Sequence, residues 1–410
     1  MKCKFCDTEI KDITFDLGNT APSNELIIKE NLYKSEKIYP LVLFTCSNCF
    51  LVQIEEQVGG IEIFNEEYVY FSSASAYWLD HAKKYCDKIT QRLKLNSDSF
   101  VVEVASNDGY LLKNFIDNNI KCLGVEPTQS TANEAMHKGI PTLVEFFNTS
   151  LAKQFKNDDK QADLIIANNV LAHVPTINDF ISAFKILLKV EGTITIEFPH
   201  LLELVEHNEF DTIYHEHFFY FSLYTLNIIF SKHNLSIYDV DTLGTHGGSL
   251  RIYITHAGNI LDKNSDKNNV NKILEKELNY KMNTLDYYST IKDNAFKIKL
   301  EALDYLTKQK KDNKKIIAFG AAAKGNTFLN YSGIKNDIID FVVDETPYKI
   351  GKYMPQSKIP IYPFNKIAEV KPDIIIILPW NHKQEIVEKL SFTKAWGAKL
   401  IIFIPKLEEI

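Results

Sequence analysis

Apolar positions fall into short blocks of strand length at 101–104, 121–126, 164–168 and 192–198, separated by stretches whose apolar residues recur three and four apart. Uninterrupted apolar strands divided by amphipathic helices predict a mainly parallel sheet covered on both faces. A helix over 76–93 delivers the chain to the first strand, another over 110–118 follows it, and strands at 235–245 and 249–256 complete the sheet. The cycle restarts at 315–320, with strands at 338–344 and 374–378, which predicts a second, smaller doubly wound unit. Between the two, the Lys- and Asn-rich stretch 262–300 has helical periodicity and serves as the connection. The fold class is α/β.

A chain of 410 residues has room for two to three domains at about 150 residues each. Its formal net charge of −7 and its lack of any basic run exclude a nucleic-acid footprint. No apolar run approaches the ~20 residues of a membrane span. The first residues lack the apolar core of a secretory signal, so the expected compartment is the reducing cytoplasm. Of 46 basic residues two are arginines, Arg92 and Arg251, which makes each worth following.

Cysteines sharpen the picture at the amino terminus. Cys3-Lys-Phe-Cys6 and Cys46-Ser-Asn-Cys49 are paired knuckles whose thiolates can reach one tetrahedral ion. The gap between them exceeds that of a usual zinc ribbon, and a strand over 38–45 lies within it. In a reducing compartment zinc is favoured over disulfides or four unpaired thiols, and four sulfur ligands make the site structural because no coordination position is left open. Cys86 and Cys122, in a helix and a strand, read as small core residues.

The sequence Val101-Val-Glu-Val-Ala-Ser-Asn-Asp-Gly109 runs an apolar strand into a carboxylate and a tight polar turn, and a second acid, Glu126, ends the next strand. Such an order of strand, acidic turn, helix, strand and acid opens the S-adenosylmethionine methyltransferases. Glu126 is placed to accept ribose hydroxyls. A nicotinamide site needs the G-x-G-x-x-G turn so that backbone amides can approach a pyrophosphate; here Ala105 and Asn107 stand where glycines would, and only Gly109 is a glycine. Glu103, Ala105, Asn107, Gly109, Glu126 and Asn168, which ends a later strand, are the candidate cofactor residues.

The densest chemistry is Phe210-Asp-Thr-Ile-Tyr-His-Glu-His-Phe-Phe-Tyr220. An extended chain would put Tyr214 and Glu216 on one side and His215 and His217 on the other, whereas a turn would converge Tyr214 and His217. A histidine is suited to removing a proton, and a phenol to hydrogen-bonding an oxygen that gains charge. The bland reading is core histidines or a second metal. His173, after a strand end, reads equally as a substrate residue or as an ordinary helix-start residue. In His246-Gly-Gly-Ser-Leu-Arg251 the glycine amides and arginine suit a phosphate, or else mark a bend with a structural arginine. Gly320-Ala-Ala-Ala-Lys-Gly-Asn-Thr327 opens a helix after a strand, where Lys324, Asn326 and the helix terminus suit a diphosphate.

Taken in order, the cysteine knuckles, Asp16-Leu-Gly, Tyr70-Phe-Ser-Ser, Val104-Ala-Ser-Asn-Asp-Gly109, Val125-Glu-Pro127, Tyr214-His-Glu-His217, His246-Gly-Gly-Ser-Leu-Arg251, Gly320-Ala-Ala-Ala-Lys-Gly325 and Leu378-Pro-Trp-Asn381 resemble the zinc-containing sugar C-methyltransferases that act on nucleotide-linked keto-deoxysugars. The resemblance implies an N-terminal zinc-binding module (1–66), a central Rossmann-like class I methyltransferase domain (67–298) and a C-terminal Rossmann-like α/β domain (299–410) that helps to bind a nucleotide-diphosphate keto-sugar. It implies deprotonation and methylation, with inversion, of the carbon beside the ketone. His217 would be the base, with Tyr214, Glu216, His173 and Tyr68 lining the sugar pocket, and His246, Arg251, Lys324 and Asn326 would contact the substrate. Ala21-Pro-Ser-Asn24 and Pro355-Gln-Ser depart from the family pattern, both expected to lie outside the chemistry. An O- or N-methyltransferase acting on a sugar nucleotide and a zinc-organised binding protein without catalysis are the alternatives.

Overall fold

The computed structural model describes residues 1–57, 59, 71–74 and 76–410, and sheets of four, seven and six strands organise them. The first sheet starts with β1 (Ile13–Thr20), β2 (Tyr39–Thr45) and β3 (Val52–Ile54), joined antiparallel. The helix α1 (Ala76–Leu93) leads to a parallel set, β4 (Phe100–Val104), β5 (Lys121–Val125), β6 (Thr142–Leu143), β7 (Ala162–Asn168) and β8 (Leu188–Pro199). The chain then returns to the first sheet, where β9 (Phe219–Tyr220) pairs with β3, Val52 opposite Tyr220. Strands β10 (Leu235–Leu243) and β11 (Ser249–His256) close the central sheet, β11 antiparallel to β8 and β10 antiparallel to β11.

The resulting order is β10-β11-β8-β7-β4-β5-β6, which reverses direction at β4, between β5 and β7. In open α/β sheets a ligand crevice lies beyond the carboxyl ends of the strands at such a reversal. All of β4 beyond Phe100 is buried, as an apolar run between helices must be.

The long helix α2 (Leu285–Lys311) carries the chain without a break from the central unit to the last one, so the expected boundary at 298/299 falls inside a helix. The expected boundary at 66/67 lies outside the described residues. In the last sheet β12 (Ile316–Phe319), β13 (Val342–Asp344), β14 (Ile361–Pro363), β15 (Ile374–Ile377), β16 (Lys399–Ile402) and β17 (Glu408–Glu409) take the order β14-β13-β12-β15-β16-β17. The helix α3 (Ala323–Ser332) follows β12 and stops at Gly333, whose φ of +73° is left-handed. Two sequence expectations shrink. The strand foreseen over 338–344 forms only at Val342–Asp344, because Ile338 and Ile339 donate back to Lys335 in a turn; the helix foreseen over 110–118 is confined to Lys113–Asp117.

One apolar core runs through all three sheets. At its junction Phe15 of β1, Phe210 of the central unit and Tyr331 of α3 meet edge to face, with centroids 6.4 Å (Phe15–Phe210), 5.4 Å (Phe15–Tyr331) and 5.2 Å (Phe210–Tyr331) apart. Phe210 opens the segment that carries Tyr214 and His217, so all three units set its position. No helix among the described residues is long and apolar enough to cross a membrane.

Candidate active site

The turn after β4 is held from below by the next strand. The Ala105 amide donates to the Val125 carbonyl at 2.8 Å, and the Glu126 carboxylate accepts the Asn107 and Thr128 amides, both at 2.9 Å. Ala105, Asn107 and Gly109 have φ of 57°, 51° and 74°, so the turn folds back on itself beyond the strand end. Asn107 accepts the Ser72 amide through its side chain, and Ser73 donates to Asp108. Glu103 is buried, its Oε2 has no partner, and burial together with the nearby Glu126 and Asp108 holds its carboxyl well above the usual range. Across the reversal, Asn168 ends β7 with its Oδ1 buried and unpartnered. A buried carboxyl with an unpartnered oxygen beside this turn fits a cofactor that brings cationic ammonium and sulfonium groups, as S-adenosylmethionine does. Gly109 is favoured on two counts, its φ and the Ile140 side chain, which an added Cβ would displace. Gly109→Ala should cost about 1–3 kcal/mol locally and weaken donor binding, measured by calorimetry; an unchanged Kd would show the turn to be uninvolved.

The second half of the site is the turn at Phe210–Thr212 and the segment that leaves it. This turn converges Tyr214 and His217, the phenol oxygen lying 2.9 Å from His217 Nε2. On the other side of the ring Nδ1 lies 3.0 Å from the Thr212 carbonyl. A carbonyl can only accept, so Nδ1 carries the hydrogen and Nε2 is the basic nitrogen, taking the phenol hydrogen bond. His173 packs edge-on against this ring at 4.7 Å and is oriented by the Glu216 backbone carbonyl. The Phe218 amide donates to Ala172 at 2.8 Å, which ties the two histidine segments together. Burial keeps all three nearby imidazoles neutral: His173 and His246 are each pushed down to about 4, and His217 falls well below 6.5, with His173, His246 and Lys324 adding to the effect. The Glu216 carboxyl moves the other way, raised by burial to about 7, and its Oε1 accepts the Asn24 side-chain amide at 2.7 Å.

Two charged groups surround this centre. In one, Glu197 at the end of β8 accepts from Arg251, from His81 of α1 at 2.9 Å and from Thr245 at 3.0 Å. Burial opposes ionisation there, yet these partners hold the carboxyl at about 2. Arg251 also lies over the Tyr85 ring at 4.3 Å, and its residue is buried. Its guanidinium therefore serves Glu197 and faces inward, the structural-arginine arrangement. In the other group, Lys324 of α3 donates to Asn381 at 2.8 Å and lies over Trp380 at 4.6 Å. Trp380 donates to Asp211 at 2.8 Å. Burial lowers the Lys324 pKa while Asp211 and Glu209 pull it back up, and burial raises those acids to about 6 and about 8. Lys324 thus sets its charge against two carboxyl groups. His246, in the turn Thr245–Gly247, packs on Trp78 of α1 at 5.2 Å. Asn326 is fully buried in α3, with neither side-chain polar atom bonded.

The four knuckle thiols converge. Cys3–Cys49, Cys6–Cys46 and Cys6–Cys49 sulfurs are 3.7, 3.5 and 3.6 Å apart, and all four lie within 4.8 Å of one another. A tetrahedron with zinc–sulfur bonds of ~2.3 Å has edges of ~3.8 Å. The cluster therefore fits zinc, and the separations are too long for disulfides.

Comparison with known proteins covers nearly every residue just described. The zinc binding domain family matches residues 3–64, the methyltransferase domain family residues 77–240, and the C-methyltransferase C-terminal domain family residues 244–405. Over 405 residues, 99 % of this chain and 96 % of the relative, the sequence is 28 % identical to the C-methyltransferase NovU of Streptomyces niveus. The protein is an S-adenosylmethionine-dependent methyltransferase. Among solved structures it is similar to an S-adenosylmethionine-dependent methyltransferase of Clostridium acetobutylicum (13 % identity, TM-score 0.37, 44 % of this chain and 92 % of that one). A second is the magnesium protoporphyrin IX methyltransferase of Synechocystis with bound SAM (14 %, TM-score 0.34, 48 % and 89 %).

In this methyltransferase the six expected cofactor residues gather at the ends of β4, β5 and β7, and His173, Tyr214, Glu216 and His217 form one cluster. Tyr68 lies outside the described residues. Sequence reasoning passed over Asn24, His81, Glu197, Glu209 and Asp211. The segment Ala21-Pro-Ser-Asn24, expected to lie outside the chemistry, reaches one of the expected pocket residues through the Asn24 bond to Glu216. A signal for His81 was available: Tyr77, Trp78 and His81 recur at helical spacing on α1 and share one face.

Proposed function

We propose that the enzyme methylates the carbon beside the ketone of a nucleotide-diphosphate-linked keto-deoxysugar. The observation that carries this reading is the His217 ring, its Nδ1 fixed on the Thr212 carbonyl and its Nε2 paired with the Tyr214 phenol. Carbon becomes nucleophilic only when an adjacent carbonyl shares its charge, so a base and an oxyanion partner must sit together. Nε2 takes the proton from carbon, and the Thr212 carbonyl supports the imidazolium that results. The Tyr214 hydroxyl, released from Nε2, turns to donate to the enolate oxygen. Glu216 and His173 line the sugar, with His246 and Lys324 beyond them; Arg251, through Glu197, and Asn326 support the pocket from behind. Glu103, Ala105, Asn107, Gly109, Glu126 and Asn168 hold S-adenosylmethionine, which supplies an electrophilic methyl group when bound. Glu216 is buried and His217 half-buried, which limits the water that would otherwise reprotonate the enolate. Turnover of a thymidine- or guanosine-diphosphate keto-sugar with a carbon-13 methyl donor should give a product whose new methyl carbon couples to ring carbon by NMR. A methyl attached to oxygen or nitrogen would defeat this reading.

A further inference from the structure

Glu216 is gripped from a part of the chain far from it in sequence. The loop after β1 reaches across from the zinc module, and Asn24 Nδ2 donates to Glu216 Oε1 at 2.7 Å. The neighbouring residue fixes the same loop to α3: Ser23 Oγ lies 3.4 Å from Thr327 Oγ1, and Thr327 in turn donates to the Ile213 carbonyl at 3.0 Å, beside Tyr214. Further back, Gln356 of the last unit accepts the Ala21 amide at 3.1 Å and donates to the Asn19 carbonyl at 3.3 Å. Gln356 does so from a φ of +61°, a conformation that favours glycine, so its side chain is used to clamp the loop at a backbone cost. The two segments that depart from the family pattern are therefore bonded to each other, and both bear on Glu216.

We propose that Asn24 is a positioning residue for methyl transfer, holding one oxygen of the Glu216 carboxyl so that the other is presented to the acceptor. The inference rests on the proposed function, in which Glu216 lines the acceptor pocket. An amide N–H can only donate, so Oε1 is fixed as an acceptor and any proton resides on Oε2. The groups that bear on this carboxyl are few. Asn24 donates to it, Glu25 repels its charge, and His173 contacts its backbone carbonyl; no cation stands among the described groups acting on it. Burial drives the carboxyl up to about 7 and the Asn24 bond is the pull downward, so Asn24 also governs when Glu216 ionises. The zinc module thereby contributes a side chain to the active site without a sulfur ligand approaching it.

The test is the pH profile of methyl transfer by the full-length zinc-loaded enzyme and its Asn24→Ala, Asn24→Asp and Asn24→Gln variants. Loss of one charge-assisted hydrogen bond should lower kcat about tenfold in Asn24→Ala and displace the ionisation of Glu216 by about one pH unit to the alkaline side. Asn24→Asp keeps the shape but sets acid against acid, so it should shift the profile further in the same direction. Asn24→Gln should restore part of the rate. Donor KM and zinc content should match the parent throughout, since neither site is touched. Profiles superimposable on the parent's in Asn24→Ala and Asn24→Asp would overturn the inference. The identity of the methylated atom judges the proposed reaction separately, because the profile reports Asn24 whichever atom accepts the methyl.

Discussion

Replacing His217 by asparagine should stop exchange of the acceptor's hydrogen with solvent deuterium and lower kcat by about 10³-fold, the range of a lost general base. Donor binding should stay as it was, because the ring lies at the Tyr214–Thr212 turn and the cofactor residues at the strand ends. Asparagine keeps a polar group against the Thr212 carbonyl, so the loss measures basicity more than packing. The sign of the pH response comes from the ring's surroundings. Burial, then His173, His246 and Lys324, hold His217 well below 6.5. A base must be unprotonated to act, so the limb of the parent's profile that belongs to His217 should lie below 6.5, apart from the Glu216 limb near 7. An ordinary exposed histidine would already be half protonated at 6.5. Deuterium exchange at the parental rate in His217→Asn would pass the role to Tyr214 or His173.

What the sequence disclosed and what it withheld divide along one physical line. Features carried by neighbouring residues were legible: the cysteine knuckles, the acidic turn before Gly109, the apolar strands of the central sheet and the crowding of ionisable groups at 210–220. Even the meeting of Tyr214 and His217 was available as one of two conformations, and the turn at Phe210–Thr212 decided it. Features made by residues far apart were not, because a hydrogen bond across a long separation leaves no period in the sequence. Asn24 and Glu216 are 192 positions apart, and Trp380 and Asp211 169. Arg251 shows the intermediate case. Its scarcity marked it, yet a bare guanidinium suits a phosphate and a buried carboxylate equally, and only the fold shows Glu197 beside it. Very short strands such as β9 also escaped, since two residues carry no alternation, although β9 is what joins the Tyr214–His217 segment to the zinc module's sheet.

Stripping the zinc should abolish methyl transfer even though no thiol approaches the acceptor. Four thiolates drawn to within 4.8 Å of one another repel unless a cation or protons balance them. A structural zinc can contribute about 10–16 kcal/mol in domains that have little else. Here Leu41, Leu43, Leu51 and Val52 belong to the apolar core that runs through all three sheets, so the expected loss is smaller than that figure, with local loosening in place of global unfolding. The loosening has a defined route to the chemistry. Cys46 and Cys49 fix the turn between β2 and β3; β3 pairs with β9, two residues after His217; and the loop between β1 and β2 carries Asn24 to Glu216. Releasing the knuckles should therefore slacken both sides of the catalytic segment while leaving the strand ends around Glu103 and Glu126 in place. Incubation with a chelator, with zinc release followed by metal analysis, should show methyl transfer falling in step with the metal, donor affinity persisting and activity returning when zinc is restored. Cys46→Ser should reproduce the metal-free state and lower the unfolding temperature. A metal-free protein with parental kcat would mean that the apolar core alone holds Asn24 and β9 in register, and the zinc would then have no part in positioning Glu216.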